Sequence, residues 1–287
     1  MARKDFLASS RKLRRKRLIL KAVVMAVIFF AIFAGIVAFF RMPYSQVEKI
    51  EISGNILING DDLIEGIKAK LDGKYFGLFP KANIFIIPKD KILTELTEDF
   101  KRIKNISLDK KYFGGIAIKI EERNNAVLFC EKEDCAYADE SGFVFEKAPY
   151  FSGAVFLKLI DQRNSDSGEN AKTIDEHLGS NLITESEFKK ILEFAGLTRL
   201  DSRLASKRAA RLVAKIDGGV SEVILKKENI YEFYMQEGWK IILNDKNEPQ
   251  SAYLNLITAL DANIKDKRPK LDYIDLRLGN KIYFKYK

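Results

Sequence analysis

The residues of this sequence with the clearest chemical potential are its only two thiols, Cys130 and Cys135. Alternating residues flank the CEKEDC segment on both sides, which is typical of two strands joined by a four-residue loop. This hairpin would let the thiols form a disulfide, and two free thiols are the alternative. A zinc site needs about four ligands, whereas the one histidine, His177, lies 42 residues beyond Cys135. We therefore expect no metal site at the cysteines.

Catalytic motifs are missing from the sequence. It contains no phosphate-binding or dinucleotide-binding glycine loop and no serine-nucleophile motif. The adjacent carboxylates Glu121 and Glu122 would face opposite sides of a strand, so they do not form an acid–base pair. A serine–histidine site would depend on His177, which lies in a polar stretch. We therefore expect a non-catalytic protein with no cofactor and no small-molecule substrate.

The next feature is an uncharged run of nineteen residues, Ala22 to Phe40, which as a helix is long enough to cross a bilayer. Residues 1–21 carry nine basic side chains and one acidic side chain, and such a tail stays in the cytoplasm. We expect a single-pass helix with the N-terminus inside and the remaining chain outside. A cleaved signal peptide is the alternative, but the run is longer than a typical signal core and lacks a small-residue cleavage site.

The basic excess of the chain lies in this tail. The net charge of the whole chain is +9, and residues 1–21 account for +8 of it. The nearly neutral remainder is not the surface of a nucleic-acid-binding protein, so no nucleic acid is expected as a partner. The tail is instead placed to contact anionic lipid headgroups of the bilayer.

The first part of the exterior chain has the pattern of a small α+β domain. Val47 to Asn55 alternates apolar and charged residues and predicts a strand. Two amphipathic helices and two strands follow, the strands at Ile103–Asp109 and Gly115–Arg123, so the order is β-α-α-β-β. An aromatic loop, Tyr75 to Phe79, lies between the helices. It is either an exposed docking patch or a segment packed beneath the first helix.

The second part has the pattern of a mainly antiparallel β-domain with a packed helix at Pro249 to about Ile264. A polar loop is predicted at 161–175, and a capping box at Thr184 and Glu187 begins another helix. At the end, Tyr273 to Leu278 alternates apolar and polar residues before Gly279-Asn280, which predicts a hairpin with a two-residue turn. The other predicted strands are Ala126–Cys130, Cys135–Asp139, Phe143–Phe145, Leu212–Ile216, Val220–Lys226, Ile230–Gln236 and Trp239–Leu243.

Taken together, these patterns resemble the FtsQ/DivIB family of bacterial division proteins. The family has a basic cytoplasmic tail, one membrane helix, a POTRA domain and a β-domain. Four stretches carry the resemblance: the first strand at Val47–Asn55, the strand ending in Glu-Arg at Ile116–Arg123, the motif Asp139–Phe145, and the closing motif Tyr273–Arg277. The resemblance implies a cytoplasmic tail at 1–21, a membrane helix at 22–40, a POTRA-like domain at 45–123 and a β-domain at 124–287.

The resemblance also implies a scaffold of the division septum that binds FtsB-like and FtsL-like proteins outside the membrane. An exposed edge strand would pair with a strand of the partner. By the family pattern the partner-binding residues are Arg277, Leu278, Lys281, Ile282, Tyr283, Phe284 and Lys285. Alternatively, Lys281 and Lys285 only protect an edge from aggregation. Two other classes remain as alternatives, a POTRA-bearing envelope assembly or secretion protein and a membrane-anchored cell-wall hydrolase.

Overall fold

A computed structural model describes residues 2–111, 114–151, 155–163, 173–199, 219–279 and 281–287. The chain divides into two compact units, Met1–Glu122 and Arg123–Lys287. Three of the sequence predictions fall outside the described residues: the strand Leu212–Ile216, most of the polar loop 161–175, and Asn280 of the predicted turn.

The first unit begins with a long helix, α1 (Ala2–Phe40), in which Arg15–Phe40 is apolar and long enough to cross a membrane. The predicted order β-α-α-β-β follows, so this part of the fold prediction is confirmed. A short hairpin inside the aromatic loop, β2–β3, adds to it. The elements are β1 (Lys49–Ser53), α2 (Gly60–Leu71), β2 (Lys74–Tyr75), β3 (Phe79–Pro80), α3 (Lys89–Asp99), β4 (Ile103–Lys111) and β5 (Gly115–Glu122).

The core of the first unit lies between a three-stranded sheet and the two helices. The strand order is β1-β5-β4, with β1 parallel and β4 antiparallel to the central β5. In α2, Leu63 and Ile67 recur at helical spacing and are fully buried, and the Asn59 side chain caps the helix by accepting the Asp61 N–H. These residues pack against the apolar face of β5, which includes Ile116 and Ile118.

The glutamate that ends β5 closes a loop of the same unit. The Glu122 carboxylate accepts the backbone N–H groups of Ile56, Leu57 and Ile58, at 2.6 to 3.0 Å. Burial by itself raises the pKa of Glu122, but these hydrogen bonds outweigh it and leave the pKa below its ordinary value. The Glu of the Glu-Arg motif therefore has a structural role in joining the loop after β1 to β5.

The second unit is built on a ten-stranded sheet with the order β10-β8-β7-β6-β9-β11-β12-β13-β14-β15. The three parallel contacts are β6 with β9, β9 with β11, and β13 with β14. The other neighbours are antiparallel, as predicted. The strands are β6 (Val127–Glu131), β7 (Asp134–Ala138), β8 (Phe143–Lys147), β9 (Leu157–Asp161), β10 (Ser180–Asn181), β11 (Val220–Lys226), β12 (Ile230–Met235), β13 (Lys240–Asn244), β14 (Leu271–Asp275) and β15 (Tyr283–Tyr286).

Helices of the second unit contribute to one apolar core with this sheet. They are α4 (Ile174–His177), α5 (Glu185–Arg199) and α6 (Pro249–Ala259). The predicted capping box at the start of α5 is confirmed, because the Thr184 N–H donates to the Glu187 carboxylate and the Glu187 N–H donates to Thr184 Oγ1. Trp239 is buried in the same core.

A buried carboxylate organises the turn between β7 and β8. Asp139 Oδ2 accepts Arg123 Nη1 at 2.5 Å, while its Oδ1 accepts the N–H groups of Ser141 and Phe143 and the Ser141 hydroxyl. The Arg123 guanidinium also lies 3.9 Å from the centre of the Phe143 ring. Burial by itself raises the pKa of Asp139, but these hydrogen bonds outweigh it and lower the pKa. The carboxylate thereby connects the first residue of this unit to the turn.

The cysteines lie opposite each other in the β6–β7 hairpin and are bonded as a disulfide, with their Cα atoms 4.1 Å apart. The predicted four-residue loop is wrong. The strands continue to Glu131 and Asp134, so only Lys132 and Glu133 form the turn. Lys132 adopts a positive φ of 55°, which a tight two-residue turn of this kind requires.

Replacing Cys130 by serine should lower the melting temperature of the second unit only modestly. The bond closes a sequence separation of five, so it removes less chain entropy than the ~3 kcal/mol of a 15-residue loop. The surrounding ladder of paired residues also remains. Thermal melting of the parent and variant under non-reducing conditions measures the difference. Thiol labelling of both sites in the native, unreduced parent would contradict the disulfide.

Candidate partner-binding edge

The C-terminal strand β15 forms one edge of the ten-stranded sheet. Among the described strands it pairs only with β14, through Asp275 opposite Tyr283, Ile274 opposite Phe284 and Tyr273 opposite Lys285. An edge of this kind presents main-chain N–H and C=O groups that can pair with a strand of another chain. The edge is therefore the candidate site.

The two faces of β15 differ. Ile282, Phe284 and Tyr286 pack against the core, whereas Tyr283 and Lys285 are exposed on the opposite face. Because Cα partners share a face of the sheet, this outer face continues across the neighbouring strands. The register gives one row of Tyr234, Lys240, Tyr273 and Lys285, and a second row of Glu232, Ile242, Asp275 and Tyr283.

The direction of the β15 main chain follows from two hydrogen bonds. The Lys287 N–H donates to the Lys270 C=O, and N–H groups alternate in direction along a strand. The N–H groups of Lys285 and Tyr283 therefore point toward β14, and those of Phe284 and Tyr286 point outward. The Tyr283 N–H is thus paired with β14 rather than directed outward.

The hydrogen bond from the Leu276 N–H to the Ile242 C=O supports the same assignment. It directs the Leu276 N–H toward β13, so the preceding N–H, of Asp275, points the other way, toward β15. Residues opposite each other in such a pair exchange both of their hydrogen bonds. The outward donors and acceptors of β15 therefore belong to Phe284 and Tyr286.

The link between β14 and β15 is longer than predicted. The strand ends at Asp275 rather than continuing to Leu278, and β15 begins at Tyr283. The cause is the Asp275 carboxylate, which accepts the Arg277 N–H at 3.0 Å and its guanidinium at 2.7 to 3.2 Å. This contact turns the chain away from the sheet, because a side chain that binds the backbone two residues on competes with ladder pairing. Gly279 also lies in the link, whereas Asn280 is outside the described residues.

The Asp275–Arg277 pair gives the edge a fixed charge arrangement. Burial by itself raises the pKa of Asp275, but the hydrogen bonds from Arg277 outweigh it and lower the pKa. The hydrogen bond to Asp275 in turn raises the pKa of Arg277. Because these contacts use Nε and Nη2, the guanidinium is held in one orientation beside the edge.

The structure brings only part of the predicted site into the strand. Tyr283, Phe284 and Lys285 lie in β15, while the others lie in the link before it. These others are Arg277, Leu278, Lys281 and Ile282. Lys281 and Ile282 precede the strand because the long link delays its start, so partner pairing at these two residues stays a prediction. Cys130 and Cys135 lie in strands at the other end of the sheet order and do not contribute to this site.

Sequence reasoning missed a charged cluster on the outer face. Lys240 Nζ contacts the Glu232 carboxylate at 2.8 Å, and the Tyr234 hydroxyl donates to the same carboxylate at 3.0 Å. Burial by itself lowers the pKa of Lys240, but the contact with Glu232 outweighs it and raises the pKa. The available signal was the placement of charged residues at alternate positions of two strands joined by a short turn.

Among the described residues, no group of three or more His, Cys, Asp and Glu side chains is arranged to hold a metal ion. The edge therefore consists of main-chain groups, aromatic rings and ion-paired side chains. Such an arrangement is suited to pairing with a polypeptide strand.

Two known proteins are similar to parts of the chain. No family model matches the chain. The chain is 28% identical over 119 residues to the cell division protein DivIB of Clostridium acetobutylicum, a match that covers 42% of this chain and 44% of that protein. The chain thus spans less than half the length of this curated relative.

A search of solved structures finds the major extracytoplasmic domain of DivIB from Geobacillus stearothermophilus. The identity is 16%, the TM-score is 0.26, and the match covers 50% of this chain and 99% of that one. The sequence match to the clostridial protein, together with the long apolar helix and the mixed α+β units that follow it, supports the resemblance of the chain to the FtsQ/DivIB family of cell division proteins.

Proposed function

We propose that the chain is a non-catalytic scaffold of the division septum that links early and late division proteins. In this proposal α1 spans the cytoplasmic membrane with its N-terminus inside, and both units lie outside. FtsB-like and FtsL-like division proteins are the partners. The observation that carries the proposal is the open edge of β15, with outward main-chain groups at Phe284 and Tyr286.

The size of the edge indicates how a partner would bind. Two outward residues offer about four main-chain hydrogen bonds, each worth roughly 1 kcal/mol net. The sum, about 4 kcal/mol, corresponds to a dissociation constant of only about 1 mM. Main-chain pairing therefore sets the position of the partner strand. Side-chain contacts with Tyr283, Leu278 and Arg277 are needed for useful affinity.

The topology of the proposal predicts the result of reporter fusions. The charge difference across Ala22–Phe40 should place Lys287 outside the cytoplasm, because the nine basic residues of the tail stay inside. A reporter that is active only outside should work at the C-terminus and fail at the N-terminus. Neutralising Arg14, Arg15, Lys16 and Arg17 should give mixed orientations. Activity of the N-terminal fusion alone would contradict the topology.

Photo-crosslinking in cells tests the partner. A photoreactive amino acid at Tyr283, which is exposed on the outer face of β15, should capture a division protein of the FtsB type. The matched control places the same amino acid at Leu254, an exposed position of α6. Capture of the same protein from both positions, or from Leu254 alone, would contradict docking at the edge.

A further inference from the structure

The C-terminal end of α1 is fixed to the first unit by buried side chains. The Phe40 C=O accepts the Gln46 side-chain amide at 2.9 Å and the Asn83 side-chain amide at 2.8 Å. Asn83 is fully buried and also donates to the Ser45 hydroxyl at 2.9 Å. The last carbonyls of a helix need such partners, because no further turn supplies them. The helix therefore ends on the folded unit rather than on a free linker.

The aromatic loop packs beside this helix end. The Phe40 ring lies 5.5 Å from the Phe79 ring, and the Phe39 ring lies 5.9 Å from the Phe85 ring. Arg41 Nε donates to the Leu78 C=O at 3.1 Å. If α1 spans the bilayer up to Phe40, these contacts hold the loop at the height where the helix leaves the membrane.

Phe76, at the tip of the loop, is an unusual residue for the backbone conformation that this turn requires. The Leu78 N–H donates to the Tyr75 C=O, and the two central residues, Phe76 and Gly77, have φ values of 49° and 70°. Such turns favour Asn-Gly, because asparagine tolerates a positive φ better than a bulky aromatic residue does. The Phe76 side chain is 94% exposed and gains little packing against the described residues.

Other exposed apolar side chains lie in the segments next to the helix end. Met42 and Tyr44 follow α1 directly, and Phe85 contacts Phe39. Lys74 is exposed at the base of the hairpin. Aromatic rings beside basic residues at the end of a membrane helix are typical of the interface between lipid headgroups and acyl chains. Because this surface is continuous with the membrane helix, the lipid headgroup region is the partner that it would contact.

We propose that Phe76, Phe85, Tyr44 and Met42 insert into the headgroup region of the outer leaflet and dock the first unit on the bilayer. We call these four residues the membrane rim. The proposal rests on the membrane anchor of the proposed function. It adds that the first unit has one preferred orientation on the membrane, set by the rim together with the helix end.

Depth-dependent fluorescence quenching tests the rim on the full chain. The protein is reconstituted in vesicles of phosphatidylethanolamine and phosphatidylglycerol whose acyl chains are brominated at shallow positions. Phe76→Trp is the test variant and Phe39→Trp, in the last helical turn, reports the anchor. The parent, whose only tryptophan is the buried Trp239, supplies the background signal.

Ile56→Trp is the matched control. Ile56 is 84% exposed in the same unit but follows β1, whose five residues extend roughly 17 Å from the end near the helix. Tryptophan at 76 should be strongly quenched and its emission shifted to shorter wavelength, and tryptophan at 56 should show neither effect.

The possible quenching results distinguish the membrane rim from the membrane-spanning helix of the proposed function. Quenching at 39 and 76 but not at 56 supports the rim. If tryptophan at 39 is quenched but tryptophan at 76 emits as in water, the membrane rim is contradicted and the membrane-spanning helix is still supported. If tryptophan is quenched at neither 39 nor 76, both the membrane-spanning helix and the membrane rim are contradicted. Circular dichroism checks the fold of the whole chain.

Discussion

Replacing Asp139 by alanine should lower the free energy of unfolding of the second unit by about 3 kcal/mol, because the buried carboxylate holds an ion pair and several hydrogen bonds that are lost together. The variant loses the Arg123 ion pair and the hydrogen bonds from Ser141 and Phe143. In a domain of this size the loss corresponds to a fall of roughly 6–12 °C in melting temperature. Trp239, the only tryptophan, lies in this unit, so its fluorescence follows the transition.

The matched control for this variant is Asp134→Ala. Asp134 is an exposed aspartate in β7, and surface changes of this kind alter stability by less than about 0.5 kcal/mol. Equal melting temperatures for Asp139→Ala and Asp134→Ala would contradict the structural role of the buried carboxylate.

The same carboxylate predicts a pH dependence. The pKa of Asp139 is lowered in the folded state. Its contribution to stability is therefore complete above the unfolded pKa of about 4 and is lost as the pH falls through the folded value. Asp139→Asn lacks this contribution at every pH. Urea unfolding should therefore show a large difference between parent and Asp139→Asn at pH 7 and a smaller one near pH 3.

A proline at 284 should weaken partner binding by blocking the outward edge of β15. The residue loses its outward N–H, and the ring prevents the partner strand from pairing there. Phe284 also packs against the core, so the matched control is Phe284→Ala, which loses the ring but keeps the N–H. Phe284→Pro should bind an FtsB-like segment at least about 10-fold more weakly than Phe284→Ala, a difference of about 1.4 kcal/mol. Titration calorimetry on variants with matched melting curves measures it.

Two further variants distinguish pairing from general damage to the edge. Tyr283→Pro should destabilise the β14–β15 pair itself, because the Tyr283 N–H points toward β14. Arg277→Glu also loses the contact with Asp275, so it is compared only if it melts like the parent, and it should then weaken binding by about 1–3 kcal/mol if the guanidinium contacts the partner. If Phe284→Pro and Arg277→Glu both bind as well as the parent does, the docking site is not at β15.

Much of this fold could be predicted because local patterns agree with the global structure. The alternation after Gly279 in the sequence agrees with the structure, which places Tyr283 on the face opposite Phe284. The pair Thr184 and Glu187 correctly marked the start of α5, because the two side chains reach each other's backbone N–H only across one helical turn.

The rest could not be predicted, because it depends on contacts that are not encoded by periodicity. The Gly279-Asn280 dipeptide indicated a two-residue turn. The Asp275 carboxylate instead binds Arg277 and lengthens the link between β14 and β15. The outward direction of the Phe284 N–H likewise depends on which side of the strand β14 lies, and alternation of side chains does not specify that.

Hydrogen–deuterium exchange at single-residue resolution tests the edge most directly. It is measured on the full chain in lipid nanodiscs, with and without a saturating FtsB-like segment. The account predicts that the amides of Phe284 and Tyr286 exchange rapidly alone and become protected with the partner. The amides of Tyr283 and Lys285, already paired with β14, should change much less. Unchanged fast exchange at Phe284 and Tyr286 in the bound complex would contradict strand addition at this edge.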